Sequence, residues 1–235
     1  MDEQRMRQVA WIGDAYMGGP IRGVVLSFHG LGELGVKKEP GTVELGMARA
    51  GGLVVYPFYG PWAWMNRLAR AFVDEVVEAV YRHFGLDDSV PLISTGASMG
   101  GQASLLYTRY AGRAVKACYA LYPVCDLKYH FSERPDLPTS ILYAFRGYEE
   151  DLDTLLAEHS PLAQVAHMPD IPYLLAHGDK DGAVFKAHHS DRMVAAMRDR
   201  GLRVEYVEVP GLGHGSPMPI EVLAGQIEFV AEHLA

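Results

Sequence analysis

Short, nearly continuous apolar runs alternate along this chain with longer stretches in which apolar residues recur every three or four positions. Residues 21–30 (IRGVVLSFHG), 52–60 (GLVVYPFYG), 90–96 (VPLISTG), 115–123 (VKACYALYP), 171–179 (IPYLLAHGD) and 202–211 (LRVEYVEVPG) predict six strands. Most are apolar on both pleat faces, the pattern of a parallel sheet covered by helices on each side. Residues 8–13 (QVAWIG) add an antiparallel edge strand. Between the runs, Trp64, Leu68, Phe72, Val76, Val77, Val80 and Phe84 fall on one helical stripe, as do Ile220, Leu223, Ile227, Val230 and Leu234. A further helix follows Ser98, and another spans about 186–200, stopping at Arg-Asp-Arg-Gly. The alternation predicts an open, mostly parallel α/β sheet with helices on both faces, as one domain over residues 1–235.

One segment interrupts the rhythm. Residues 124–170 are longer than a simple crossover requires and carry loop chemistry (FSERPDLPTS) followed by a short acidic helix (FRGYEEDLDTLLAEHS). In open α/β sheets ligands bind beyond the carboxyl ends of the strands. An insertion that starts at such an end is therefore expected to cap a site.

With 235 residues, 49% of them hydrophobic, the chain has ample material for one core. A net charge of −8 gives no support to binding nucleic acid or anionic membranes. The N-terminus lacks the apolar core of a secretory signal, and no run is long enough to span a bilayer. The two cysteines, Cys118 and Cys125, are expected as reduced core thiols, and the whole as a cytoplasmic protein.

The chemistry is concentrated at GASMG (96–100), a G-x-S-x-G string set between a predicted strand and a predicted helix. There Ser98 projects from a strained turn, and the backbone N–H of Met99 faces the reacting centre. A serine hydroxyl needs a base. Of ten histidines, His214 in PGLGHGSPM, between the last strand and the last helix, is best placed. His29 and His177 precede glycines at strand ends and are expected to order loops. The pair His188–His189 is expected on a solvated helix face, without a carboxylate set for metal. The base needs an anion behind it. HGDKDGAV (177–184) offers Asp179 and Asp181, and Asp126 in YPVCD is a rival whose simpler role is to cap the start of the insertion.

The order of serine, acid and histidine, with these strings, resembles the α/β-hydrolase superfamily over residues 21–234. The chain is most similar to the small single-domain branch of dienelactone-hydrolase and prolyl-oligopeptidase-like esterases. That resemblance implies Asp181, in the fifth place of H-G-x-x-D-x-x-V, as the acid, with Asp179 ordering its loop. FHGLGELG (28–35) resembles the family's H-G-x-G turn and implies Leu31 as the second oxyanion donor, with Gly30 or Gly32 next. The chemistry so implied is hydrolysis of a carboxylic ester through an acyl-enzyme, on a small-molecule substrate such as a carbohydrate or small acyl ester, without metal or cofactor. Peptidase relatives generally carry a large extra N-terminal domain, so peptide hydrolysis is the second expectation. A ligand-binding protein with a vestigial site is the third. Aromatic residues of the loop 56–66 and of the insertion mark a pocket, with Tyr59, Trp62, Tyr122 and Phe145 as candidate substrate contacts, Trp64 as core, and Arg134 and Arg146 as candidate partners for an acidic group. A homodimer is compatible with the sequence, which does not set the oligomeric state.

Overall fold

The computed structural model describes residues 1–234, so Ala235, the end of the expected domain, lies outside the described residues. Seven strands form one sheet: β1 (Ala10–Ile12), β2 (Gly23–Phe28), β3 (Gly52–Pro57), β4 (Leu92–Ala97), β5 (Val115–Leu121), β6 (Tyr173–Gly178) and β7 (Val204–Val209). Their order is β1-β3-β2-β4-β5-β6-β7, parallel throughout except for the antiparallel pair β1–β3, in which Trp11 faces Tyr56. All seven expected strands are present.

Ten helices accompany the sheet among the described residues: α1 (Glu3–Val9), α2 (Thr42–Arg49), α3 (Arg67–His83), α4 (Met99–Tyr110), α5 (Leu127–Glu133), α6 (Leu137–Ala144), α7 (Leu152–Glu158), α8 (Pro161–Gln164), α9 (Ser190–Asp199) and α10 (Ile220–Glu232). Because successive strand residues point to opposite faces, the core divides in two. Val24, Leu26, Leu53 and Val55 pack under α3 and α4, while Val25, Val54, Ile93 and Tyr119 pack against Met47 of α2 and Phe229 and Val230 of α10. On the α3–α4 side, Cys118, Ala120 and Leu175 continue the core to Met193 and Met197 of α9.

The helical stripes needed correction at their starts. Asn66 caps α3, its side chain accepting from the Ala69 N–H at 2.9 Å, so Trp64 precedes the helix in left-handed backbone (φ 46°), and Leu68, on the first turn, is 77% exposed. Ile220 likewise begins α10 exposed, and burial starts further along. The insertion between β5 and β6 is more helical than expected. FSERPDLPTS contributes the end of α5 and the start of α6, with Pro138 in the first turn, where its missing N–H costs nothing. The acidic helix is present as α7. No described helix is long and apolar enough to cross a membrane. Both cysteines are free and buried.

Candidate active site

Ser98 stands at the carboxyl end of β4 as the N-cap of α4, with φ 61° and ψ −124°. A non-glycine residue held there is strained. Two neighbours make the turn feasible by lacking a side chain. A Cβ on Gly96 would lie 2.2 Å from the Gly100 carbonyl oxygen, and one on Gly100 would lie 2.2 Å from that of Phe28. The glycines of G-x-S-x-G thus let α4 start directly against β4 and the end of β2.

His214 reaches Ser98 from the loop after β7. Its Nδ1 lies 2.7 Å from Asp181 Oδ2 and its Nε2 3.1 Å from Ser98 Oγ. With the carboxylate ionised, Nδ1–H donates to Asp181, leaving the Nε2 lone pair to accept from the serine hydroxyl. The loop carrying His214 lies on the end of β6: a Cβ on Gly178 would come 2.1 Å from the Leu212 carbonyl oxygen. The geometry joins an alcohol, an imidazole and a carboxylate that are distant in sequence.

Asp181 is almost fully enclosed. Burial by itself would raise its pKa, but hydrogen bonds from His177, from His214 and from the Val184 and Ala183 N–H groups outweigh that and hold it well below the usual carboxylate range. Val184 and Ala183 each donate to Oδ1 at 2.9 Å. His177 accepts from the Ser190 hydroxyl at 2.7 Å and donates from Nε2 to the Val184 carbonyl at 3.0 Å, with Asp181 Oδ2 at 3.4 Å. It orders the acid's loop, as expected. Asp179 accepts from the Gly211 N–H at 2.6 Å, and Asp126 caps α5 through the Tyr129 N–H. Both rivals are therefore occupied elsewhere.

The loop after β2 has a specific orientation. His29 is buried, and its Nδ1–H donates to the Gly30 carbonyl at 2.9 Å. In a trans peptide the carbonyl and the next N–H point in opposite directions. The Leu31 N–H is thus turned away from the His29 ring, while the Gly32 N–H is taken by the Pro61 carbonyl at 2.9 Å. Leu31 lines the cavity beside Ser98, and Gly32 is removed as an alternative donor. Met99 is the first residue of α4, where a backbone N–H has no intrahelical acceptor, and its side chain is core.

The cavity over Ser98 has a volume of about 410 Å³. Besides the residues above, Trp64, Tyr122, His130, Arg134 and Val184 form its wall. Of the four expected substrate contacts, only Tyr122 is here, in left-handed backbone (φ 34°) with its ring 4.6 Å from that of His214. Tyr59 and Trp62 instead line a second groove with Phe72, Tyr143 and Arg146. Tyr59 is buried, stacks on His29 at 4.0 Å and donates its hydroxyl to the His29 carbonyl, so it supports the loop after β2. Phe145 is 5% exposed and packs on His159 in the core. That assignment is corrected, because α6 turns it inward. Trp64 is buried as expected but also walls the cavity.

The expectation of a solvated His188–His189 pair holds for His188, which is exposed, and is corrected for His189. His188 stacks on Tyr129 at 3.9 Å, and His189 is fully buried. His130, Glu133 and His189 bring their ligand-type atoms within 4.8 Å of one another. His189 Nδ1 accepts from the Cys125 and Asp126 N–H groups at 3.0 and 3.1 Å, so its proton sits on Nε2 and goes to Glu133 Oε2 at 3.0 Å. A ring committed in this way has no lone pair for a cation, and the cluster serves as a hydrogen-bonded junction.

The sequence model of the prolyl oligopeptidase family matches residues 71–235, more than half of the chain and the part that holds Ser98, Asp181 and His214. The chain belongs to the prolyl oligopeptidase family. It has the α/β-hydrolase fold, a mostly parallel seven-stranded sheet among the described residues. No curated protein sequence matches it. Among solved structures, it is similar to a Mycobacterium tuberculosis puromycin-hydrolyzing peptidase (TM-score 0.74, 19% identity, 92% of this chain and 35% of the other). It is also similar to Pyrococcus horikoshii acylaminoacyl peptidase (0.71, 16%, 96% and 39%). A truncated form of a carbohydrate esterase from gut microbiota matches at 0.71 and 15%, over 95% of both chains. The chain thus spans little more than a third of the length of those two peptidases.

Proposed function

We propose that this family member is a carboxylic ester hydrolase acting on small esters, in which Ser98 attacks the carbonyl carbon. His214 takes the serine proton and returns it to the leaving alcohol, and Asp181 fixes the tautomer and stabilises the imidazolium. The N–H groups of Met99 and Leu31 receive the negative oxygen of the tetrahedral intermediate, each worth about 3–4 kcal/mol of transition-state stabilisation. Water then releases the acyl-enzyme through the same base. The observation that carries the reading is the hydrogen-bonded chain Ser98–His214–Asp181 opening into a cavity wide enough for a small ester. A carbohydrate esterase is among the proteins that share this fold, which is in keeping with the ester reading.

The second reading, a peptidase, is favoured by the family match and by the peptidase neighbours. A fluorophosphonate probe on the native protein and on Ser98→Ala, followed by p-nitrophenyl esters and prolyl peptide substrates, tests both. Labelling and ester turnover that vanish in Ser98→Ala support the esterase. Peptide turnover that outpaces the esters selects the peptidase, and an unlabelled native protein overturns both.

A further inference from the structure

The wall of the cavity facing Ser98 carries two polar side chains from the end of α5 that the hydrolytic scheme leaves unused. His130 lies with its side chain 3% exposed, and its Nδ1 is 2.5 Å from Glu133 Oε2. Glu133 is ionised, so Nδ1 carries the ring proton and Nε2 carries a lone pair. Among the described residues that nitrogen has no hydrogen-bond partner, it is not among the fully enclosed polar atoms, and His130 lines the cavity. Arg134, four residues on, gives Nε and Nη2 to Asp136 at 3.1 and 2.6 Å. Its charge is answered there, while Nη1 keeps two N–H donors without a hydrogen-bond partner among the described residues.

A lone-pair acceptor and a charge-compensated donor that line one cavity select by chemistry. A substrate carboxylate would meet Arg134 but set its own lone pairs against His130. An ammonium would meet His130 but face the guanidinium. An alkyl group would leave both polar groups unpaired in the cavity, the situation that penalises an analogue lacking a hydroxyl. A hydroxyl satisfies both, accepting from Arg134 and donating to His130. Trp64 stands edge-to-face with His130 at 5.5 Å, its indole N–H spent on Ser140 at 3.2 Å, so it offers the cavity only carbon surface, suited to the C–H faces of a polyol.

We infer that His130 and Arg134 form a hydroxyl-reading subsite, and that the substrates of this site are esters bearing a free hydroxyl near the scissile bond: partly acylated polyols or esters of hydroxy acids. The inference rests on the esterase reading above. Matched pairs test it: glycerol monoacetate against propyl acetate places the hydroxyl on the alcohol side, and ethyl lactate against ethyl propanoate places it on the acyl side. In the native protein kcat/KM should favour the hydroxylated member of at least one pair by about tenfold or more. In His130→Asn, which keeps a donor for Glu133 but removes the ring acceptor, and in Arg134→Ala, that ratio should fall to within about twofold of unity. A native ratio near one in both pairs, or a ratio untouched by both substitutions, overturns the subsite while ester turnover leaves the esterase reading standing. Failure to turn over all four esters by a protein whose Ser98 still labels overturns the esterase reading and the subsite with it.

Discussion

Gly100→Ala puts the geometry of the nucleophile turn to a direct test. The added methyl would meet only main chain: the Phe28 carbonyl oxygen at 2.2 Å, its carbon at 2.8 Å and the His29 carbonyl oxygen at 2.8 Å. No flexible side chain is available to yield. Restoring an ordinary contact of about 3.5 Å requires the start of α4 and the end of β2 to part by roughly 1 Å. Those two segments carry Ser98 and the His29–Leu31 turn, so the displacement opens the gap between the proposed nucleophile and the proposed oxyanion donor. A misplacement of that size costs on the order of a hundredfold in rate. Overpacking of this kind costs about 1–3 kcal/mol of stability, and at roughly 2–4 °C per kcal/mol the midpoint of thermal unfolding should fall by several degrees. The assay is kcat/KM on a p-nitrophenyl ester together with the rate of Ser98 labelling, with circular dichroism to show that the fold persists. A variant that keeps within threefold of native rates on both measures would refute the close-packing account.

Four other substitutions have defined outcomes. Asp181→Asn, which cannot hold His214 in the required tautomer, should lower kcat by about 10⁴-fold without loss of fold, and near-native turnover would remove Asp181 from its role. Gly225→Ala, inside α10 with nothing within 4 Å of the new methyl, should raise stability by about 1 kcal/mol in urea unfolding, and a loss would contradict that helix environment. His159 is buried against α7, and burial first, then the nearby Arg70 and Arg67, push its pKa down to about 4 against the opposing pull of the Leu155 carbonyl and Glu158. The unfolded chain therefore takes up this proton below about pH 6.5 while the folded one does not, so native stability should drop by up to about 3 kcal/mol between pH 6.5 and 4, and His159→Gln should remove that part of the slope. Burial opposes the ionisation of Glu133, but hydrogen bonds from His130, His189 and the Phe185 N–H draw its pKa down to about 2, so its contribution is complete above about pH 4.5 and lost as the pH falls toward 2. Glu133→Gln should accordingly be most destabilising near neutrality, by about 2–4 kcal/mol, with the gap to the native protein closing in acid; a gap independent of pH would be evidence against an ionised Glu133.

Much of the candidate site's geometry was legible because it depends on local backbone rules. Gly96 and Gly100 mark a turn that only glycine permits, and the strand ahead and the helix behind fix where Ser98 points. His177 and Gly178 end β6 and Asp181 follows three residues later, so their relation is also short-range. What escaped were contacts made across the fold. His130 has no informative neighbours in sequence, and its place in the cavity depends on how the insertion packs on the loop after β6. The adjacent His188 and His189 look alike in sequence, yet one stacks on Tyr129 and the other is buried on Glu133. Periodicity placed Trp64 on α3, and the Asn66 cap moved the helix start beyond it. The aromatic-rich loop 56–66 marks a pocket in sequence, with Trp64 as core, but its side chains divide between the cavity, a separate groove and the support of the turn after β2.

Glu133 joins two halves of the site that have no covalent proximity. Its Oε1 accepts from the Phe185 N–H at 2.7 Å, and its Oε2 takes both His130 and His189. Phe185 and His189 lie just beyond the loop that holds Asp181, whereas His130 and Arg134 belong to the wall opposite the nucleophile. Swinging α5 outward would part the buried carboxylate from two donors, the Phe185 N–H and His189 Nε2–H, a cost of about 3–5 kcal/mol if no water replaced them. Opening of the insertion must therefore occur beyond α5, in the segment from α6 onward, or not at all, and α5 acts as a fixed wall. The same constraint bears on the proposed subsite: an acceptor on His130 and a donor on Arg134 would select among substrates only if both stay in place while the substrate binds, and the carboxylate that ties α5 to the loop of Asp181 would keep the wall in register with Ser98 and His214.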